Sequence, residues 1–222
     1  MAGLAFKVIG AIGLASYAAA YLCTKLRHVS YYRFKVVAVP GADLPAMPRG
    51  YTWRALGPAD LAGRTIDVGP EVQRARFAEG LDCLGVLDAK GGLVGVTWVG
   101  KRSHEDAQYG LRYVLPATAA WDTGLWVPEE KRMTRAFSAV WAAVGEWLRR
   151  EGLDCTMSSI ADYNVESITS HRRLGARDLH TVIVLRLGSL QLTFGARPWV
   201  HYPARRSLPT LRLSSPPLAD MR

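Results

Sequence analysis

Three groups of residues in this chain have types and spacings that could do chemistry. Lys131, Arg132 and Arg135 lie within about one helical turn of one another, just after Trp126-Val127-Pro128 closes an apolar run. Backbone N–H groups at a helix start can cradle a phosphate, and the cations add charge toward a polyanion. A merely solvated basic helix start is disfavoured, because cations oppose the helix dipole at that end. His171 sits between Ser170 and Arg172-Arg173. An imidazole is a competent acid near neutral pH when it reaches a group that needs a proton, and the plainer reading is a half-exposed helix histidine. Asp122 stands inside the apolar run Ala119–Trp126. Burial there would raise its pKa into a useful range for a base, whereas strict alternation would turn it to solvent. Glu129 and Asp162 are further acids, Glu129 being well placed for the first turn of a helix, and His104 receives no role. The tryptophans at 53, 98, 121, 126, 141 and 147 default to core packing, with Trp98 and Trp121 weighed as an acceptor pocket.

These residues must be positioned by elements that the pattern predicts from Tyr51 onward. Tyr51–Leu56 reads as a strand, Pro58–Leu61 as a turn or helix start, and Pro70–Asp82 as a helix with Pro70 in its first turn. Cys83–Asp88 and Leu93–Val99 flank Ala89-Lys90-Gly91-Gly92, a β-hairpin. Leu111–Leu115 and Ala119–Val127 follow as strands. Glu129–Arg150 is the longest helical pattern, with Phe137, Val140, Trp141, Val144, Trp147 and Leu148 at three- and four-residue steps, and Gly152 stops it. Asp154–Ile160 resumes strand character. A short helix Asn164–Leu174 ends at Gly175, and Leu179–Leu187 with Leu190–Phe194 gives a last strand pair. From Arg197 prolines and scattered arginines predict an irregular basic tail, and no repeat is visible.

The chain of 222 residues, 49% hydrophobic and 21% charged, can bury one sizeable core. Its formal charge of +9 and pI near 9.7 favour an anionic partner: a phosphate-bearing cofactor, an acidic lipid surface or a nucleic acid. No nucleic-acid motif or basic block interleaved with aromatics is present, so nucleic acid is not expected. Cys23, Cys83 and Cys155 are isolated and odd in number, which speaks against a disulfide framework or a zinc site and for reduced thiols.

Between Lys7 and Lys25 lies an uncharged run, Val8–Thr24. Its length sits at the lower edge of what spans a bilayer, and its apolar residues run all round, which argues against a surface-lying amphipathic helix. A membrane anchor is the favoured reading over a cleaved signal peptide or a helix packed on the main domain. Lys25, Arg27, Arg33 and Lys35 would then hold that domain on the cytoplasmic face. The organisation expected is an apolar helix and anchor at 1–30, a linker at 31–50, a folded domain at 51–195 and the tail at 196–222.

The order of elements from about Tyr51 to Phe194, and the residues at two of its junctions, resembles the GNAT superfamily of N-acyltransferases. Asn164-Val-Glu-Ser167-Ile-Thr-Ser-His171-Arg-Arg-Leu-Gly175 looks like the family's Asn-x-x-Ala/Ser-x-x-x-Tyr-x-x-x-Gly-Phe element. Asn164, Ser167 and Gly175 match, His171 replaces the tyrosine and Ala176 the phenylalanine. Val127–Ala136 looks like the acyl-CoA loop, usually Arg/Gln-x-x-Gly-x-Gly/Ala. Counted from Pro128, Lys131, Thr134 and Ala136 take those places, so the first glycine is lost; a shift by one puts Arg132 at the basic position.

The resemblance implies an α+β (α/β three-layer) fold, a GNAT-like mixed, mostly antiparallel central sheet with a V-shaped splay and flanking helices, preceded here by the N-terminal apolar helix. It implies acyl transfer from acetyl-CoA or another acyl-CoA to an amine of a small molecule or envelope precursor, without a metal. Asn164 and Ser167 would meet the pantetheine arm, and Trp126, Val127, Lys131, Arg132, Met133, Thr134, Arg135 and Ala136 would bind the rest of the cofactor. His171 would protonate the departing thiolate and Asp122 is a candidate base. The lost glycine and replaced tyrosine motivate an alternative, a catalytically degenerate binding module. Acyl-carrier protein as donor is another. A membrane surface or bilayer met through residues 8–24, and a homodimer, complete the expected partners.

Overall fold

The computed structural model describes residues 2–64, 66, 68–132, 134–202 and 207–215, with side chains from Val8 onward. By internal contacts the chain forms two compact units, both discontinuous in sequence. Unit 1 comprises Met1–Val39, Glu105–Val114 and Ser158–Arg222; unit 2 comprises Pro40–His104 and Leu115–Met157.

Unit 2 carries the hairpin at its centre. Strands β2 (Tyr51–Leu56), β3 (Asp82–Asp88), β4 (Leu93–Lys101) and β7 (Ala119–Trp126) pair antiparallel in the order β2-β3-β4-β7. Ala119–Trp121 also pairs in parallel with Cys155–Met157, the first half of β8 (Cys155–Ala161). The short helix α2 (Pro58–Leu61) and α3 (Pro70–Glu79) follow β2, and α3 stops where Gly80 adopts φ 87°, a left-handed cap. The main helix of unit 2, α4 (Ala136–Glu151), begins seven residues later than the pattern predicts, after a 3-10 turn at Glu129–Lys131. Almost every residue from Ala136 to Leu148 is buried. Its Val140 lies against β4 at Gly95, where a Cβ would come within 2.4 Å of the Val140 Cγ2. Val86, Val94, Val127, Ala136, Ala139, Val140 and Ala143 form this side of the core, while Leu56, Leu61, Leu81, Val96 and Trp98 fill the other.

Unit 1 is built on a strand that the sequence pattern hides. Residues expected to be a linker form β1 (Val29–Pro40), whose neighbours are β8 and β9 (Arg177–Leu187). β1 pairs antiparallel with β9 from Val29↔Leu187 to Ala38↔Arg177, with a bulge between Val36 and Val37. A turn at Gly188-Ser189 leads into β10 (Leu190–Phe194), which pairs antiparallel with β9 and then with β11 (Val200–His201). Phe34 is fully buried and stacks on Tyr109 at 4.1 Å between ring centroids. The buried Gln191 amide donates to the carbonyl oxygens of Tyr109 (3.2 Å) and Gly110 (3.1 Å), tying the 105–114 segment to β10. Two further elements complete that segment's sheet: β5 (Ser103–Asp106) and β6 (Leu111–Val114) are joined by β12 (Thr210–Arg212), parallel to β6. The tail expected to be irregular thus supplies β11 and β12. Leu211 and Leu213 are buried on alternate positions, a period-2 signal outweighed in the sequence by the surrounding prolines.

Among the described residues no helix is long and apolar enough to cross a membrane. The expected anchor forms α1 (Ala2–Cys23), broken at Gly10 (φ 65°, ψ −174°), and its side bearing Gly13 and Ser16 is buried within unit 1 against α5 (Val165–Arg173). Small residues on that side allow the close approach: a Cβ on Gly13 would meet the Asp162 carbonyl oxygen at 3.0 Å.

Two outcomes check this architecture. Phe34→Ala should cost about 3–5 kcal/mol in urea unfolding, because it empties a fully buried site; a loss below about 1 kcal/mol would return residues 29–40 to linker status. Burial pushes the Cys155 thiol up to about 11, so a thiol reagent at pH 8 should modify half-buried Cys23 first and reach Cys155 only on unfolding.

Candidate active site

In unit 1 the chain turns from β8 into α5 at Asp162-Tyr163-Asn164. Asn164 caps the helix, its Oδ1 accepting from the Ser167 N–H at 3.0 Å. That bond fixes the first turn of α5 and thereby the Ser167 carbonyl. One turn on, His171 Nδ1 lies 2.8 Å from that carbonyl oxygen. A carbonyl can only accept, so Nδ1 carries the proton. In the neutral ring Nε2 is then the acceptor, and it lies 3.4 Å from the Ser158 hydroxyl on β8. The three motif positions are thus brought together as a cap, a carbonyl and an oriented imidazole.

His171 lines a cavity of about 180 Å³ whose walls are Val8, Ile9 and Ile12 of α1, Arg33, Lys35 and Val37 of β1, Ile160 and Asp162 at the end of β8, and Ile168 and Arg172 of α5. Ala176 and Asp178 complete it. The charges are mostly committed in pairs: Arg33 Nη1 to Asp162 Oδ2, Lys35 Nζ to Asp178 Oδ2, and Arg172 Nη1 to the Val8 carbonyl at 3.3 Å. Asp162 is only 4% exposed, and its second oxygen, Oδ1, is buried without a hydrogen-bond partner among the described residues. A buried carboxylate oxygen in this state favours a cationic or hydrogen-bond-donating group nearby. Next to it, burial raises the Tyr163 phenol above its ordinary range, and the Asp162 charge adds to the effect.

The residues that the resemblance assigns to the cofactor loop lie in unit 2. Val127 is buried in the core, Trp126 packs half-buried against the cluster around Leu56 and Trp98, and Ala136 is the first residue of α4. Between them the loop is organised by short bonds. Arg132 Nε donates to the Val127 carbonyl (3.3 Å), and the Thr134 hydroxyl donates to the Lys131 carbonyl (2.7 Å) and accepts from the Ala136 N–H (3.2 Å). Because α4 starts at Ala136, Lys131 and Arg132 precede the helix, and Arg135 is its N-cap residue. Lys131 is turned toward Asp88, whose carboxyl is held below its ordinary range first by the Gly92 and Lys90 N–H groups and then by the Lys131 charge. Arg132, Thr134 and Arg135 are exposed, and Met133 lies outside the described residues.

Asp122 does not face solvent. It is buried, and its Oδ2 accepts from the buried Thr156 hydroxyl at 2.8 Å, so its carboxylate holds β7 to β8 within unit 2. Trp98 and Trp121 are core residues, Trp121 stacking on His104, which in turn lies 3.0 Å from Glu79. Sequence reasoning missed Ser158, Arg33, Lys35 and Asp178. The alternation of Arg33 and Lys35 with Tyr32, Phe34 and Val36 carried the strand signal, but their proximity to Lys25 and Arg27 reads as one basic cluster. Among the described residues no group of three His, Cys, Asp or Glu side chains could hold a metal ion.

No protein-family profile and no curated protein matches the chain. Solved structures do. A functionally unknown conserved protein from Staphylococcus epidermidis matches with a TM-score of 0.52 at 10% identity, over 76% of this chain and 66% of that one. A Drosophila protein from a structural genomics programme matches with a TM-score of 0.50 at 13% identity, over 79% and 57%. The chain therefore spans roughly three fifths to two thirds of the length of these two proteins. GNAT acetyltransferases are also among the matches, including a putative acetyltransferase of that family from Novosphingobium aromaticivorans, with a TM-score of 0.46 at 15% identity over 72% and 65%. At such identities the likeness is one of fold. The mixed, mostly antiparallel sheet with flanking helices is the architecture that the sequence resemblance implies.

The tautomer is directly measurable. Long-range 15N–1H spectra of neutral His171 should show a protonated Nδ1 and a bare Nε2; the reverse pattern would mean that the Ser167 carbonyl does not control the ring.

Proposed function

We propose that the chain is a GNAT-like acyltransferase that moves an acyl group from acyl-CoA to a small-molecule amine. The observation that carries this reading is the oriented His171. At the motif position where the resemblance puts the proton donor stands an imidazole fixed by the Ser167 carbonyl, with Nε2 toward Ser158, in a cavity that Asp162 helps to line.

The acceptor arrives as an ammonium and Asp162 favours it electrostatically. Neutral His171 takes one proton at Nε2, directly or through the Ser158 hydroxyl. The freed amine attacks the thioester carbonyl, a C–N bond forms, the C–S bond breaks and the nitrogen releases its second proton to solvent. The imidazolium then returns the first proton to the thiolate, so one side chain serves as base and then as acid. This accounts for the chemistry without asking Asp122 to leave its bond with Thr156.

Calorimetry with acetyl-CoA and longer acyl-CoAs, followed by single-turnover thioester cleavage, tests the proposal. His171→Phe should slow cleavage by about 10²–10⁴-fold while leaving donor affinity within a small factor. Absence of binding to any acyl-CoA would end the acyltransferase reading, and unchanged turnover would remove His171 from it.

A further inference from the structure

From Val8 to Thr24 the chain has no charged residue, and it has no acidic residue before Asp43. Among the described side chains of α1, Gly13 and Ser16 are the buried ones, and Val8, Ile9, Gly10, Ala19, Ala20 and Cys23 are half-buried. Past the break at Gly10, the residues Gly13, Ser16, Ala20 and Cys23 form one stripe at 100° per residue, the side committed to unit 1. Leu14, Tyr21 and Leu22 stand opposite, while Ile12 borders the cavity beside His171 and Tyr17 stands edge-on to Tyr163 at 5.8 Å. Ile12 is 64% exposed, Leu22 62%, Leu26 57%, Tyr17 54% and Tyr21 53%. Scattered apolar side chains need no explanation, but a contiguous apolar surface uninterrupted by charge marks a contact site.

Charge indicates what the contact is. The apolar surface is bordered by exposed Lys25 and Arg27, and the Lys25 ammonium sits 5.1 Å from the centroid of the Tyr21 ring. Cations, tyrosines with a wet hydroxyl and a dry ring, and aliphatic side chains pointing outward match an anionic lipid interface layer by layer. A spanning helix would need its whole circumference in lipid, whereas the Gly13 and Ser16 side is already occupied. The all-round apolar pattern that argues against a surface helix has a different origin: the side that would be polar on an isolated amphipathic helix is small, because it packs on protein.

We propose that α1 lies flat on an anionic bilayer surface, its Leu14, Tyr21 and Leu22 side in the acyl boundary and Lys25 and Arg27 among the headgroups, with unit 1 resting on its other side. This surface does not depend on the acyltransferase reading.

Co-sedimentation of the full chain with vesicles of phosphatidylcholine, with and without phosphatidylglycerol, tests it. The chain should pellet with the mixed vesicles and lose binding in high salt. Leu22→Asp/Leu26→Asp, both at exposed positions, should lower the partition coefficient by more than about tenfold while leaving thermal unfolding unchanged. Lys25→Ala/Arg27→Ala should lose about tenfold on the anionic vesicles and little on neutral ones. A wild-type chain that stays in solution with both vesicles, or an aspartate variant that pellets like wild type, overturns the proposal. So does a dimer by light scattering that Leu22→Asp/Leu26→Asp dissociates, which would make the face a contact between copies of the chain.

Discussion

Unit 1 depends on the placement of β1 between β8 and β9. Strand side chains alternate, so one strand presents two faces. Phe34 and Val36 go to the core, with Phe34 stacked on Tyr109, while Arg33, Lys35 and Val37 line the cavity beside His171. The same alternation therefore supplies both the hydrophobic contact that orders the sheet and the cations that hold Asp162 and Asp178. Removing the strand would leave two carboxylates facing a cavity without their partners, so packing and electrostatics in this unit are not separable.

The geometry around α5 follows from one side-chain cap. An asparagine oxygen on the Ser167 N–H sets the first helical turn, that turn aims the Ser167 carbonyl, and the carbonyl selects which nitrogen of His171 holds the proton. Each bond is worth only about 1 kcal/mol, yet in series they turn a solvent-flanked histidine into a ring with one defined acceptor. Tyrosine at this position could not work as a neutral base, whereas an imidazole can take and return a proton.

In unit 2 the cations after Pro128 are not equivalent. The 3-10 turn and the Thr134 bonds delay the start of α4, which takes Lys131 and Arg132 away from the unfavourable start of the helix and leaves Arg135 at its N-cap. Lys131 is drawn to Asp88 at the hairpin, leaving Arg132 and Arg135 as the exposed groups. Asp122 is likewise committed to Thr156, in a place where a buried carboxylate needs a donor.

Local pattern alone determined the hairpin at Asp88–Leu93, the bounds of β2 and β10, the start of α3 at Pro70, the stop of α4 at Gly152 and the spacing of Asn164, Ser167 and His171. All of these are set by neighbours within a few residues: alternation, helical periodicity, a proline in a first turn, a glycine cap. Only the tertiary structure decided that residues 29–40 are a strand, that Leu211 belongs to one, that the apolar N-terminal run packs by Gly13 and Ser16, and that Arg33 meets Asp162. Those choices depend on pairing, packing and ion pairs between residues roughly a hundred or more positions apart, and a linear pattern does not encode which distant partner a strand edge or a carboxylate will find.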